Sequence, residues 1–380
     1  MELSANFSDT FLHIAIDNFT NSLYEEFRKM DGNLFFSPFS IQVVLFLASI
    51  GSRRNTYEEI RSTIRLPSVD WSEMLPAYKT LLSSLKQNEG LKLVTGTFIE
   101  NSFDVNKSYV ENAKNFLSST VEKLNFQTDP NKARVYLNEW ALNHTDGIIK
   151  EVFPDGSIDS DTKLVIGNAI HFRHFWKNKF ITELTKEEPF YLTPTEKINV
   201  QMMKRSYIFN YYKDSNLNFS ALELPYEDRK FNMIILLPDS KDGLNTLEKN
   251  LFKISDLKNK MMTHNVTVTM PKFKIEQSFK LKNTLSEMGC SSMFSKNADF
   301  SGMINSNSNE LVVSDVLHKA NIEVNEEGTD ASAFTGIIIK KKMGERIQGF
   351  PEATFVANHP FIFMIKYNDV ALFMGRQNRF

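Results

Sequence analysis

One cysteine, Cys290, stands among 380 residues, so no disulfide can close within the chain. A chain of this length can bury a large core without one, so the shortage says little about compartment. No His or basic cluster lies beside Cys290, which therefore reads as a buried or half-buried apolar residue and not as a reactive thiol. An excess of one charge is also lacking. Lys and Arg number 44 against 46 Asp and Glu, the net charge is −2, and no global field draws nucleic acid. Membrane-length apolar runs are missing. Ile41–Ile50 is ten residues long, is interrupted by Gln42, and reads as a buried helix and not as a membrane span. No basic segment precedes the early apolar residues, which Glu2, Asp9 and Asp17 interrupt, so no cleavable signal peptide is expected. No Gly/Ser/Pro-rich linker, repeat or shift of composition divides residues 1–380, which predicts one large domain.

The motifs of common enzymes are absent too. There is no Gly-x-Ser-x-Gly elbow, Walker loop, dinucleotide fingerprint or His-Glu-x-x-His pair, so neither catalysis nor a cofactor is expected. His171 and His174 flank Phe172 and Arg173, and on a strand that spacing turns them to opposite faces, a poor arrangement for sharing a metal.

What is present is a mixture of two periods. Phe11, Ile14, Ala15, Asn18, Phe19 and Leu23 recur at helical spacing, as do Tyr57, Ile60, Ile64 and Leu66. Tyr78–Leu85 and Val110–Leu117 add amphipathic stretches. Strand-like runs follow at Leu164–Phe172, Phe231–Leu237, Val266–Met270, Leu311–Val313, Phe361–Tyr367 and Val370–Met374. Helices gathered early and strands late predict an α+β fold.

The most informative stretch is 318–335. An apolar strand leads into Glu326-Glu327-Gly328, then into small residues. Read at period two, one face carries Thr329, Ala331, Ala333, Thr335, Ile337 and Ile339, without a charge. Asp330, Ser332, Phe334, Gly336, Ile338 and Lys340 share the other. Small uncharged groups can slide beneath a packed core, so the segment is suited to leave the surface and enter a sheet. A flexible polar linker is the alternative that composition allows.

This stretch resembles the hinge and reactive-centre loop of the serpins, the family of serine-protease inhibitors. The likeness continues in order along the chain. Asn33-Leu34-Phe35-Phe36-Ser37-Pro38-Phe39-Ser40-Ile41 is similar to the N-terminal shutter motif, and Asn168–Trp176 to the strand ending in the signature Trp. Met270-Pro271-Lys272-Phe273, Ala298–Met303, His359–Phe363 and Leu372–Arg376 match later motifs. His171 and His174 depart from the pattern, which has an aromatic or aliphatic residue and a Gly there. The resemblance implies the serpin fold, three β-sheets wrapped by helices, with an exposed reactive-centre loop at about 326–352. It implies a hinge at Glu326, Glu327, Gly328, Thr329, Asp330, Ala331, Ser332 and Ala333. It also implies a shutter cluster of Ser37, Ser40, Asn168 and His318, and a breach where Lys272 pairs with Glu326 near Trp176. An exposed pair of that kind is worth about 0–1 kcal/mol and would bias the hinge without locking it.

The basic tip Lys340, Lys341, Lys342 and Arg346 suits a trypsin-like serine protease, whose pocket carries a carboxylate, although a charge run can also simply keep a loop soluble. Counting forward from Glu326 puts the scissile bond at Lys342-Met343, while counting back from His359-Pro360-Phe361 gives Arg346-Ile347, so the loop is longer than usual. The expected partner is a Lys/Arg-selective protease met by a monomer. Arg53, Arg54, Lys79 and Lys86 form no dense stripe for a heparin-type cofactor. The opening residues resemble the ovalbumin-like branch, which implies export by an uncleaved or non-standard signal or else a cytoplasmic location. Sequons at Asn6, Asn18, Asn106, Asn143, Asn218 and Asn265 permit glycosylation.

Overall fold

The computed structural model describes residues 5–254, 256–305, 311–330 and 349–380. Ala331, Ser332 and Ala333, and both candidate bonds, Lys342-Met343 and Arg346-Ile347, lie outside the described residues. The described residues group into two compact units. One draws on Met1–Phe27, Phe36–His171 and Glu276–Ala320, the other on Arg28–Phe35, Phe172–Ile275 and Asn321–Phe380.

In the first unit the helices follow the apolar spacing, at Ala5–Phe27, Arg54–Thr63, Trp71–Lys86 and Lys107–Leu117. The run Ile41–Ile50 lies in the helix Pro38–Gly51, whose residues are all buried. The helix starts there because the Ser37 hydroxyl accepts the Ser40 amide at 3.1 Å, and Pro38 occupies a position that needs no N–H. Among the described residues no helix is long and apolar enough to cross a membrane. A further helix, Pro130–His144, buries Ala133, Leu137, Trp140 and Ala141 in a cluster with Phe98, Phe153 and Leu317. Trp140 meets the Phe98 ring edge-on at 5.1 Å.

Strands Leu91–Glu100 and Thr120–Leu124 pair in parallel within the half that reads as mostly helical. Leu164–Phe172 forms as its sequence run indicates, buried throughout. It pairs in parallel with Val313–Val324, bringing His318 opposite Asn168 and Leu317 opposite Gly167. This second strand begins at Val313, not at Leu311, and continues through Asp315, His318 and Lys319. Ladder hydrogen bonds carry it past its apolar residues, so polarity alone marks its bounds poorly.

The second unit holds a nine-stranded sheet. Its neighbours run Leu34–Phe36, Val370–Gln377, Phe361–Tyr367, Phe231–Pro238, Phe219–Pro225, Lys197–Asp214, Met262–Pro271 and Glu352–Val356, with Lys186–Tyr191 added on Lys197–Asp214. The 18-residue strand Lys197–Asp214 pairs with Met262–Pro271 over most of its length and with Phe219–Pro225 at its end. Glu352–Val356 lies parallel to Asn265–Thr269 and anchors the chain just after the candidate loop.

Arg376 ties the end of this unit together. It is 4% exposed. Nη1 reaches Glu248 at 2.9 Å, and Nε and Nη2 donate to the carbonyls of Gly32 at 2.8 Å and Met30 at 2.6 Å. The guanidinium meets the three from three separate nitrogens, whereas an ammonium would have to reach them from a single one. Arg376→Met is expected to cost about 3–5 kcal/mol by taking the cation from the buried Glu248 carboxylate. Arg376→Lys should fall between the two. A urea midpoint unchanged in Arg376→Met would contradict this account.

Candidate functional site

Two groups of polar side chains are buried in the described residues where apolar packing would be the simpler solution. The first lies in the first unit. Ser37, Ser40, Asn168 and His318 are each at most 1% exposed. The Ser37 amide donates to His318 Nε2 at 3.0 Å, so that nitrogen must be an unprotonated acceptor. The proton then sits on Nδ1, which donates to Asn168 Oδ1 at 3.1 Å. Ser40 Oγ donates to the same Oδ1 at 2.8 Å and fills its second lone pair. Asn168 Nδ2 faces the Val94 carbonyl at 3.3 Å and Thr95 Oγ1 at 3.4 Å. One neutral tautomer of histidine satisfies the cluster. Burial pushes the His318 pKa down to about 3, and the Ser37 amide leaves no acceptor for a second proton.

The second group lies in the second unit. Trp176 stacks on Tyr226 with ring centroids 4.5 Å apart and donates its indole N–H to the Asn325 carbonyl at 2.9 Å. Lys272 Nζ meets Glu326 Oε2 at 2.9 Å, and Thr185 Oγ1 donates to Oε1 at 2.8 Å. Glu326 is only 7% exposed, so this is not the exposed pair expected. Burial raises the Glu326 pKa, but the hydrogen bonds from Lys272 and Thr185 outweigh it and hold the carboxyl below its ordinary range. Beside it Lys179 and Glu327 pair at 2.8 Å.

These contacts converge on a turn. Asn325 Oδ1 accepts the amides of Glu327 at 3.0 Å and Gly328 at 3.2 Å. Gly328 and Thr329 then form a short strand between Val324 and His174-Phe175, with Thr329 opposite both Val324 and His174. Glycine is required at 328 because a Cβ there would stand 2.1 Å from the His174 carbonyl oxygen. Thr329 Oγ1 and Tyr226 Oη share a hydrogen bond of 2.6 Å. Asp330 has φ of 50°, a left-handed conformation that aspartate tolerates better than most residues, and its amide donates to the Glu323 carbonyl.

Thus Ser37, Ser40, Asn168 and His318 are brought together, as are Trp176, Lys272 and Glu326 at Glu327–Asp330. Sequence reading passed over Thr185, Lys179, Asn325 and Tyr226. Only Asn325 left a signal, since Asn three positions before Gly marks a turn. Cys290 is buried, and burial raises its thiol pKa to about 12, which keeps it protonated. Among the described residues no cluster of His, Cys, Asp and Glu is arranged to hold a metal.

A family model described as Serpin (serine protease inhibitor) matches residues 14–379. Human serpin B4 is 35% identical, with 94% of this chain and 96% of that protein covered. A leukocyte elastase inhibitor of Xenopus laevis is 37% identical, with 94% and 97% covered. Among solved structures, Serpin48 of the insect Tenebrio molitor matches with a TM-score of 0.88 at 30% identity, over 98% of this chain and 99% of that one.

Two outcomes are expected. The native state holds His318 neutral down to about pH 3, whereas an unfolded histidine takes up its proton near pH 6.5. The stability this contributes is therefore complete above pH 6.5 and drains away as pH falls toward 3. His318→Asn should be less stable at pH 7.5 and lose stability less steeply between pH 6.5 and 4. Parallel slopes of denaturant midpoint against pH would overturn the argument. Glu326→Lys sets a cation against Lys272 and should lower the thermal midpoint and raise polymerisation on warming. Unchanged monomer content by size exclusion would count against the pairing.

Proposed function

Because the chain belongs to the serpin family, we propose that it inhibits Lys- or Arg-selective serine proteases as a suicide substrate. The observation that carries this reading is the parallel ladder of Leu164–Phe172 with Val313–Val324, fastened at His318 and Asn168 by exchangeable hydrogen bonds. A strand can enter such a ladder if the polar cluster changes partners, whereas an apolar plug would have to break its packing. The hinge supports the reading too. Thr329 already lies in a sheet, Asp330 takes a left-handed φ, and small Ala331 and Ala333 follow in sequence.

In the proposed mechanism the protease serine oxygen attacks the Lys342 carbonyl carbon, the Lys342–Met343 bond breaks, and the Met343 nitrogen leaves with a proton. The protease is left as an ester on Lys342. Asp330 rotates from its left-handed φ to an extended one, and the segment after it inserts as a new strand, the loop insertion by which serpins release stored strain. The uninserted state is then a kinetic trap above a more stable one. Length favours Lys342. Asp330 to Lys342 spans roughly 43 Å when extended, close to the reach of the 12-residue neighbour Val313–Val324. Cleavage after Arg346 would add about 13 Å of slack, through which the protease would be distorted less.

Leukocyte elastase inhibitors, as relatives, are named for an enzyme with a small pocket. Lys340, Lys341, Lys342 and Arg346 support a pocket with a carboxylate instead. Phe334 and the lengthened loop favour a second reading, a non-inhibitory serpin acting as carrier, chaperone or storage protein.

Incubation with trypsin is expected to give a complex stable in SDS and a released fragment beginning at Met343. A fragment beginning at Ile347 would move the bond to Arg346. Cleavage without a complex would overturn the inhibitory reading in favour of the second one.

A further inference from the structure

His174 stands where the motif it occupies otherwise has glycine, and neither the shutter nor the breach uses it. It lies directly opposite Thr329 in the short ladder that holds the hinge. Its ring is walled by Phe231 at 4.5 Å, Phe172 at 4.7 Å and Tyr226 at 6.0 Å. Nε2 is buried and has no hydrogen-bond partner among the described residues. Tyr226, one wall of this box, is also the partner of Thr329. The histidine ring, the hinge threonine and the tyrosine thus form a single packed unit.

We propose that His174 is a positioning residue of the hinge. As a neutral ring it completes the aromatic box and holds His174-Phe175 against Gly328-Thr329; once protonated it opens that pairing. The proposal deepens the inhibitory reading and rests on it for what opening would serve.

The physical reason is the buried Nε2. The cation must carry an N–H at this buried nitrogen, where it finds carbon and no acceptor unless the ring swings out into solvent. A cation can gain from aromatic faces, but not enough to offset the lost hydration here. The charged groups on the packed elements are Glu227, Asp228, Arg229 and Lys230 on the turn between Tyr226 and Phe231, Arg173 on its own segment, and Glu327 and Asp330 flanking Gly328-Thr329, where Lys179 pairs with Glu327. Burial lowers the His174 pKa to about 4, and Asp228 pulls it upward without reversing the shift. An opened hinge returns the ring to water and to a pKa near 6.5. The open form therefore binds the proton first, and acid favours opening. Between pH 7 and pH 5 the open population of this pairing should rise roughly twentyfold.

The test is hydrogen exchange on the full chain at pH 7 and pH 5, corrected for the intrinsic pH dependence of exchange. The peptides to follow cover residues 172–180 and 321–330. Wild type should lose protection there about twentyfold at pH 5. His174→Phe fills the box without titrating, and His174→Gln keeps a neutral polar group if phenylalanine disturbs folding. Both should abolish the acid-dependent loss at the hinge while the peptides around Asn168 and His318 respond to acid as before. An equal loss in wild type and both variants would overturn the proposal. No protease enters this measurement, so a failure to trap trypsin would sink the inhibitory reading while leaving the exchange result standing.

Discussion

The ladder between Leu164–Phe172 and Val313–Val324 depends on a neutral imidazole. His318 takes the Ser37 amide on one nitrogen and gives its only N–H to Asn168 through the other. Both ring nitrogens of His318 and both lone pairs of Asn168 Oδ1 are assigned by these two bonds and the one from Ser40. The same arrangement caps the buried helix Pro38–Gly51, since Ser37 supplies both the cap and the amide that faces the histidine. Helix start, strand register and protonation state are one constraint expressed three times. Apolar residues of equal volume would hold such strands as firmly but would leave them no bonds to exchange.

The hinge is held by different physics. A nearly buried carboxylate, Glu326, is satisfied by one ammonium and one hydroxyl. An asparagine folds its side chain over two backbone amides, and a glycine admits a carbonyl oxygen that any other residue would exclude. Each contact is modest by itself. The turn is thus held by many small contacts and not by one large one.

Much of the fold was legible because burial leaves a period. The run Ile41–Ile50 emerged as a buried helix and Leu164–Phe172 as a buried strand, for in both the environment is uniform along the element. Pro130–His144 was not legible, because exposed Val135 and Tyr136 interrupt the stripe made by Ala133, Leu137, Trp140 and Ala141. Leu91–Glu100 and Thr120–Leu124 were hidden by half-buried positions, and Lys197–Asp214 by its many exposed ones, since its order comes from pairing on both sides. The site shows the same division. Ser37, Ser40, Asn168 and His318 could be named through a family resemblance, but no spacing rule links residues 128 to 281 positions apart.

By itself the sequence determined composition-level limits, the apolar elements, the family, and the alternation of small residues beyond Thr329, because these are properties of the chain read in order. Tertiary structure alone decided that Glu326 is buried and not exposed, that His318 carries its proton on Nδ1, and that Tyr226 and His174 meet Thr329. Those facts depend on what stands within about 3 Å of an atom, since burial and hydrogen-bond partners set charge and tautomer. Such partners come from distant segments, and only the folded chain brings them within reach.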